Sequence, residues 1–184
     1  MKIAIIGWGS LIWDPRDLPR EGIWQTGGPK LPIEFSRISK DCRLTLVIDF
    51  TNEKYVPTRY VLTPRVDIND AINDLRAREG TSKKNIGFVD LRNNREESGD
   101  NCPKKACEII KQWCRKNNFD GAVWTALPSN FREEIEKEFS IDAAIDYLKD
   151  LPKSARKNAL RYIRNAPEEV MTPLRIKLKE ASII

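Results

Sequence analysis

A chain of 184 residues, 40% apolar and 32% charged, can bury one core without metal or disulfide staples and is too apolar for wholesale disorder. Its 32 basic and 27 acidic residues leave a net charge of +5 with both signs interspersed, which reads as a solvated, self-paired surface. On charge alone nucleic acid is not the expected partner. No stretch approaches the roughly 20 apolar residues of a membrane span, and Met1 to Gly7 is too short for a secretory signal, so no membrane partner is expected. Cys42, Cys102, Cys107 and Cys114 contain no C-x-x-C pair and read as reduced thiols of a cytoplasmic protein.

Histidine is absent. That excludes Ser-His-Asp and Cys-His catalysis, His-containing zinc sites and any imidazole proton shuttle. If the chain is an enzyme, its proton-transfer group is a carboxylate, and neither metal nor cofactor is expected.

In chain order, Lys2 to Ile6 is a short β-branched run that predicts a buried strand, followed by a turn from Gly7 to Pro15. Residues 21–31, with Gly22, Gly27, Gly28 and Pro29, predict an irregular crossing loop. Ile33 to Ile38 alternates like a half-buried strand, and Arg43 to Ile48 predicts a central one, the two joined as a hairpin. Tyr55 to Leu62 predicts a strand with Pro57 at an edge or bulge. Ile68, Ala71, Ile72 and Leu75 fall at helical spacing, with Asp67 as N-cap and Gly80 just past the end. Ile86 to Leu91 predicts a strand and residues 93–101 a mobile loop. A helix capped by Asn101 then runs to Asn117, with Cys107 and Cys114 pointing inward. Ala122 to Trp124 is a short strand, and from Pro128 onward the chain predicts helices broken at Pro152, Pro167 and Pro173. The order lacks regular strand-helix alternation. It predicts an α+β class, a mixed curled sheet or small β-barrel over residues 1–127, with a helical C-terminal extension over 128–184 packed on that core.

The turn Gly7-Trp8-Gly9-Ser10-Leu11 is the first candidate site. Its glycines would permit positive φ and close backbone approach, its N–H groups can converge on an anion, and Ser10 adds a hydroxyl. It is neither a dinucleotide fingerprint, which needs glycine at Ile12, nor a phosphate loop, which needs a following Gly-Lys-Ser/Thr. On spacing alone the turn equally serves to reverse the chain.

Placed directly after an N-terminal strand, this turn resembles the Tyr-Gly-Ser signature of the gamma-glutamylcyclotransferase-like superfamily. The longer string Gly9-Ser10-Leu11-Ile12-Trp13-Asp14-Pro15 is similar to the glutathione-degrading, ChaC-type branch. Members carry a catalytic Glu in a Glu-Gly or similar acidic pair after a mid-chain helix, and Glu79-Gly80 matches it here. Two positions depart from the pattern. Trp8 stands where tyrosine is usual, and Ile86 or Phe88 falls where a tyrosine often follows the Glu.

The resemblance implies a small γ-glutamyl substrate, bound by Gly7, Trp8, Gly9, Ser10 and Leu11, that releases 5-oxoproline. The substrate's own α-amine attacks its γ-carbonyl, so the protein has only to fold the glutamyl arm and move protons. Glu79 would act as general acid/base. The resemblance covers residues 1–127, and the helical tail carries none of its features. The alternative is a non-catalytic ligand- or partner-binding module on the same fold.

Arg37 and Arg43 flank the hairpin and offer bidentate forks for an anion, or are ordinary strand-surface residues. Asp49 reads either as a second carboxylate or as a turn former. Trp13 and Trp24 are candidates to line a pocket near the glycine turn. The basic run from Lys153 to Arg164 predicts an amphipathic helix whose polar face either contacts nucleic acid or an acidic partner or is solvated and offset by the acidic run Glu133 to Glu138.

Overall fold

The computed structural model describes residues 1–100 and 102–184. The predicted Asn101 cap lies outside the described residues. The fold is α+β: a mixed six-stranded sheet, a separate two-stranded antiparallel sheet, and, among the described residues, seven helices. The chain divides into two compact units, residues 1–31 with 57–127 and residues 32–56 with 128–184. The boundary expected at 127 is one of the crossings. The hairpin expected in the 1–127 core instead groups with the C-terminal helices.

In the first unit, β1 (Ile3–Gly7) lies mid-sheet, fully buried, parallel to β8 (Gly121–Thr125) and antiparallel to β5 (Arg59–Leu62). β6 (Ile86–Asp90) pairs antiparallel with β8. The outer strands are β2 (Glu21–Gln25), on β5, and β7 (Arg95–Glu97), on β6. Among the described residues no pairing closes β2 onto β7, so the sheet is open and not a barrel. β2 corrects the expected loop at 21–31. It is an exposed edge strand with an irregular register, held by β5 rather than by its own burial. β7 likewise replaces part of the loop expected at 93–101.

α2 (Ile68–Glu79) begins where the Asp67 carboxylate accepts from the Asn69 N–H at 2.7 Å. It ends at Gly80, whose φ of 61° is the left-handed conformation that only glycine adopts cheaply. The N–H groups of Gly80 and Thr81 close the end on the carbonyls of Ala77 and Arg76. Ile68, Ala71, Ile72 and Leu75 pack with Ile3, Ile5, Val61, Phe88 and Val123 in one apolar cluster. α3 (Lys105–Lys116) packs on β6 and β8 through the buried Ala106, Cys107, Ile110 and Cys114.

The second unit is built on β3 (Ile33–Ile38) and β4 (Leu44–Ile48). β4 is therefore one half of a two-stranded sheet and not the predicted central strand. β3 is buried along nearly its whole length rather than half-buried, Glu34 and Ser36 included. Four helices follow: α4 (Phe131–Ile135), α5 (Ile141–Asp150), α6 (Lys153–Asn165) and α7 (Pro173–Glu180). α4 and α7 pack on β3, and α6 packs on β4. Pro152 and Pro167 separate helices as predicted. Pro173 instead opens one, at the first-turn position where its missing N–H costs nothing, behind the Thr172 cap. No helix among the described residues is long and apolar enough to cross a membrane.

Candidate functional site

Sheet register explains why two segments far apart in sequence meet. Gly7 pairs with Arg59 and Ala4 with Leu62, so β5 leaves the sheet beside the start of β1. The twelve residues of α2 then rise about 18 Å, the distance needed to return past the end of β1. There β1 opens into the glycine turn and into α1 (Ser10–Trp13), a single helical turn. The last residues of α2 and the first of α1 therefore share one end of the first unit.

Arg78 makes the junction. It lies on the inner stripe of α2, one turn beyond Leu75, and its side chain is 5% exposed. Nη1 donates to Glu79 Oε1 at 2.6 Å, while Nη2 donates to the Asp14 carbonyl at 2.5 Å and stands 3.5 Å from Ser10 Oγ. Arg78 Nε is buried without a hydrogen-bond partner. Arg16 returns a hydrogen bond to the Arg78 carbonyl at 3.2 Å and pairs with Asp14 at 3.4 Å. The Glu79 side chain is 15% exposed, so the carboxylate is partly sheltered and held beside a guanidinium.

The glycine turn works differently from the sequence expectation. Neither Gly7 nor Gly9 has a positive φ; Gly9 sits at φ −129°. Gly7 is needed for space. A Cβ there would stand 2.9 Å from the ring carbons of Trp24, which crosses the turn and packs on the apolar cluster. Trp24 therefore lies against the turn, from strand β2 rather than from the loop expected for it. Its indole N–H is buried without an acceptor. Trp8 and Leu11 are each 5% exposed. The N–H of Ile12 bonds the Gly9 carbonyl at 3.0 Å. Within the single turn of α1, the N–H groups of Ser10 and Leu11 have no preceding helical carbonyl to bond.

Glu79, Ser10 and the turn are thus brought together, and Arg78 was missed. Its signal was legible: a charged residue at the next inward position after Leu75 calls for a buried partner.

The remaining candidates are engaged locally within the second unit. Arg37 donates to the Pro128 carbonyl at 2.8 Å and borders a cavity of about 540 Å³ with Lys40, Asn130 and Glu134. Burial lowers its pKa, against the raising influence of Glu134 and Glu133. Arg43 pairs with Asp41 at 2.9 Å and lies over the Tyr162 ring. Asp49 accepts from the Thr51 N–H at 3.0 Å and hydroxyl at 2.6 Å, so it is the turn former. Sequence reasoning also passed over Glu34, which is 1% exposed and borders a cavity of about 380 Å³ with Asn52, Glu53 and Phe139. Burial raises its pKa from 4.5, opposed by hydrogen bonds from the Phe35 N–H, Thr172 and the Leu174 N–H. The bonds from Thr172 and the Leu174 N–H tie the carboxylate to the N-terminus of α7, where a negative charge is favoured.

All four cysteines are free thiols. Among the described residues no three His, Cys, Asp or Glu side chains converge as metal ligands. Comparison with protein-family models, with curated proteins and with solved structures finds no match.

Proposed function

We propose that the chain is a cyclotransferase of the gamma-glutamylcyclotransferase type, releasing 5-oxoproline from a γ-glutamyl amine or peptide. One observation carries the reading: Arg78 holds Glu79 and contacts Ser10, so the two sequence motifs that suggested the activity meet in one unit. The open mixed sheet and the α2 return are taken as a divergent form of that superfamily's fold. The free thiols fit a reducing, cytoplasmic setting.

In this reading the glutamyl arm binds against Trp8, Gly9 and Ser10. The Glu79 carboxylate accepts a proton from the substrate's α-ammonium. The freed amine attacks the γ-carbonyl carbon, forming the ring C–N bond while the original amide C–N bond breaks. The α-nitrogen gives up its second proton as the ring closes, and Glu79 passes both protons in turn to the departing nitrogen, which leaves as an ammonium, so no water or external group is consumed. Donors at the turn, the Ser10 and Leu11 N–H groups and the Ser10 hydroxyl, stabilise the oxyanion that develops on the attacked carbonyl. Arg78 orients the carboxylate and so acts as a positioning residue. The test is release of 5-oxoproline from a panel of γ-glutamyl amines and peptides, glutathione included, by the purified protein and by Glu79→Gln.

Two features favour a second reading, a non-catalytic binding module. Trp8 removes the hydroxyl of the usual tyrosine, and the Arg78–Glu79 pair also serves as a clasp between α2 and the turn. A module of this kind would bind γ-glutamyl compounds without releasing 5-oxoproline.

A further inference from the structure

The chain's net charge of +5 resides on one helix. α6, with sequence KSARKNALRYIRN, carries five basic residues and no acidic one, so the rest of the chain sums to zero. Lys153, Lys157, Arg161 and Arg164 are all exposed. Their spacing places them within an arc of about 80° along about 16 Å of one side of the helix. Ala159, Tyr162 and Ile163, on the opposite side, are buried.

Among the described residues no ion pair covers this row. None of its four cations pairs with a carboxylate; Arg164 donates only to the Ile183 carbonyl. Of the acidic run expected to offset the helix, Glu138 pairs with Arg132 and Glu134 accepts from the Asn130 amide. On α5, Asp146 pairs with Lys149. Asp150 and Glu168 flank the two ends of α6 without pairing to it. The fifth cation, Arg156, turns away to the carbonyls of Lys149 and Leu151. Helix stability does not account for the pattern. A first turn favours acids, yet α6 has none there and begins on Lys153, and like charges four residues apart repel.

We propose that this face of α6 binds the phosphodiester backbone of double-stranded nucleic acid without reading its sequence. The exposed side chains are Lys, Arg, Ser154, Asn158 and Asn165, donors suited to phosphate oxygens. The helix presents no exposed aromatic on which the bases of a single strand could stack; Tyr162 is 8% exposed. It also lacks an exposed apolar ridge to enter an anionic bilayer, since the bordering Leu160 is half-buried. The inference does not depend on the cyclotransferase reading.

The test is fluorescence anisotropy of labelled duplexes, DNA and RNA of unrelated sequences, titrated with the intact protein across a salt series. All DNA duplexes are expected to bind alike, with log K falling against log salt at a slope of about −3.6, four contacts at about 0.9 each. A triple reversal, Lys153→Glu with Lys157→Glu and Arg161→Glu, is expected to weaken binding at least tenfold. Arg161→Gln alone, which perturbs folding least, should reduce the slope by about one. Reversal of the exposed Lys83 and Lys84 should change neither. Comparison of the DNA and RNA arms identifies which duplex is preferred. The proposal is overturned by absence of low-salt binding, by binding that survives the triple reversal, or by binding to phosphatidylserine vesicles but not to duplexes.

Discussion

Arg78 Nη2 stands 3.5 Å from Ser10 Oγ across 68 residues of chain, while Nη1 of the same guanidinium holds Glu79 at 2.6 Å. One buried side chain thus ties the end of α2 to the start of α1 and aims the carboxylate the proposed chemistry needs. Removing it leaves Glu79 and the Asp14 carbonyl without their donor. Arg78→Met is expected to destabilise the protein by about 2–4 kcal/mol in urea unfolding. Arg78→Lys should recover part of that, because a single ammonium cannot span three acceptors.

Gly7 and Gly87 are both required for space, with unequal tolerance. A Cβ on Gly7 meets the Trp24 ring at 2.9 Å, and one on Gly87 meets the Trp124 indole. Trp24 is partly exposed and can shift; Trp124 is fully buried. Gly7→Ala is expected to cost about 1–3 kcal/mol and Gly87→Ala distinctly more, measured by chemical denaturation.

Glu34 and Asp90 give opposite responses to pH. Burial favours the protonated form of Glu34, so its contribution to stability is full below 4.5 and is lost as pH rises through its raised folded-state value. Asp90 is the reverse. Burial alone would raise its carboxyl, but hydrogen bonds from Asn93 and Arg95, with the charge of Arg95, hold it below 3.8. Its contribution is present above 3.8 and lost as pH falls through the lower folded-state value. Across a pH series of unfolding curves, Glu34→Gln should gain stability relative to the parent as pH rises above 4.5. The deficit of Asp90→Asn should shrink on acidification.

Burial pushes the thiols of Cys102 and Cys114 up to about 12 and that of Cys107 to about 11, whereas Cys42 is exposed. Maleimide labelling of the native protein at neutral pH should therefore modify Cys42 rapidly and the buried Cys107 and Cys114 only on unfolding. Fast labelling of Cys107 or Cys114 would contradict the packing of α3.

Arg175 is 3% exposed and donates to the carbonyls of Pro167, Val170, Arg164 and Ala166, closing the end of α6 onto α7. Arg175→Met is expected to lower stability by about 2–4 kcal/mol in urea unfolding, because the carbonyls of Val170 and Ala166 lose this buried donor and those of Pro167 and Arg164 one of theirs.

The α+β class and the elements with their own local signals were readable in advance. β1, the hairpin and α2 with its Asp67 and Gly80 ends follow from burial pattern and cap chemistry. β2 was not readable, because Gly22 and its exposed face give no strand signal and β5 alone holds it. The grouping of residues 32–56 with the C-terminal helices was equally hidden, since it rests on packing between segments distant in sequence. At the site, the motifs located Ser10 and Glu79 but not Arg78, although the helical period already placed that charge inward. Gly7 was expected to serve a positive φ, but its constraint is the Trp24 ring, which no local pattern reveals.

The most direct measurement of the central claim is chromatographic detection of 5-oxoproline after incubating the purified protein with γ-glutamyl amines and peptides. The account predicts time-dependent release from at least one substrate, with Glu79→Gln folded and nearly inactive. No release from any member of the panel, or turnover undiminished in Glu79→Gln, would contradict it.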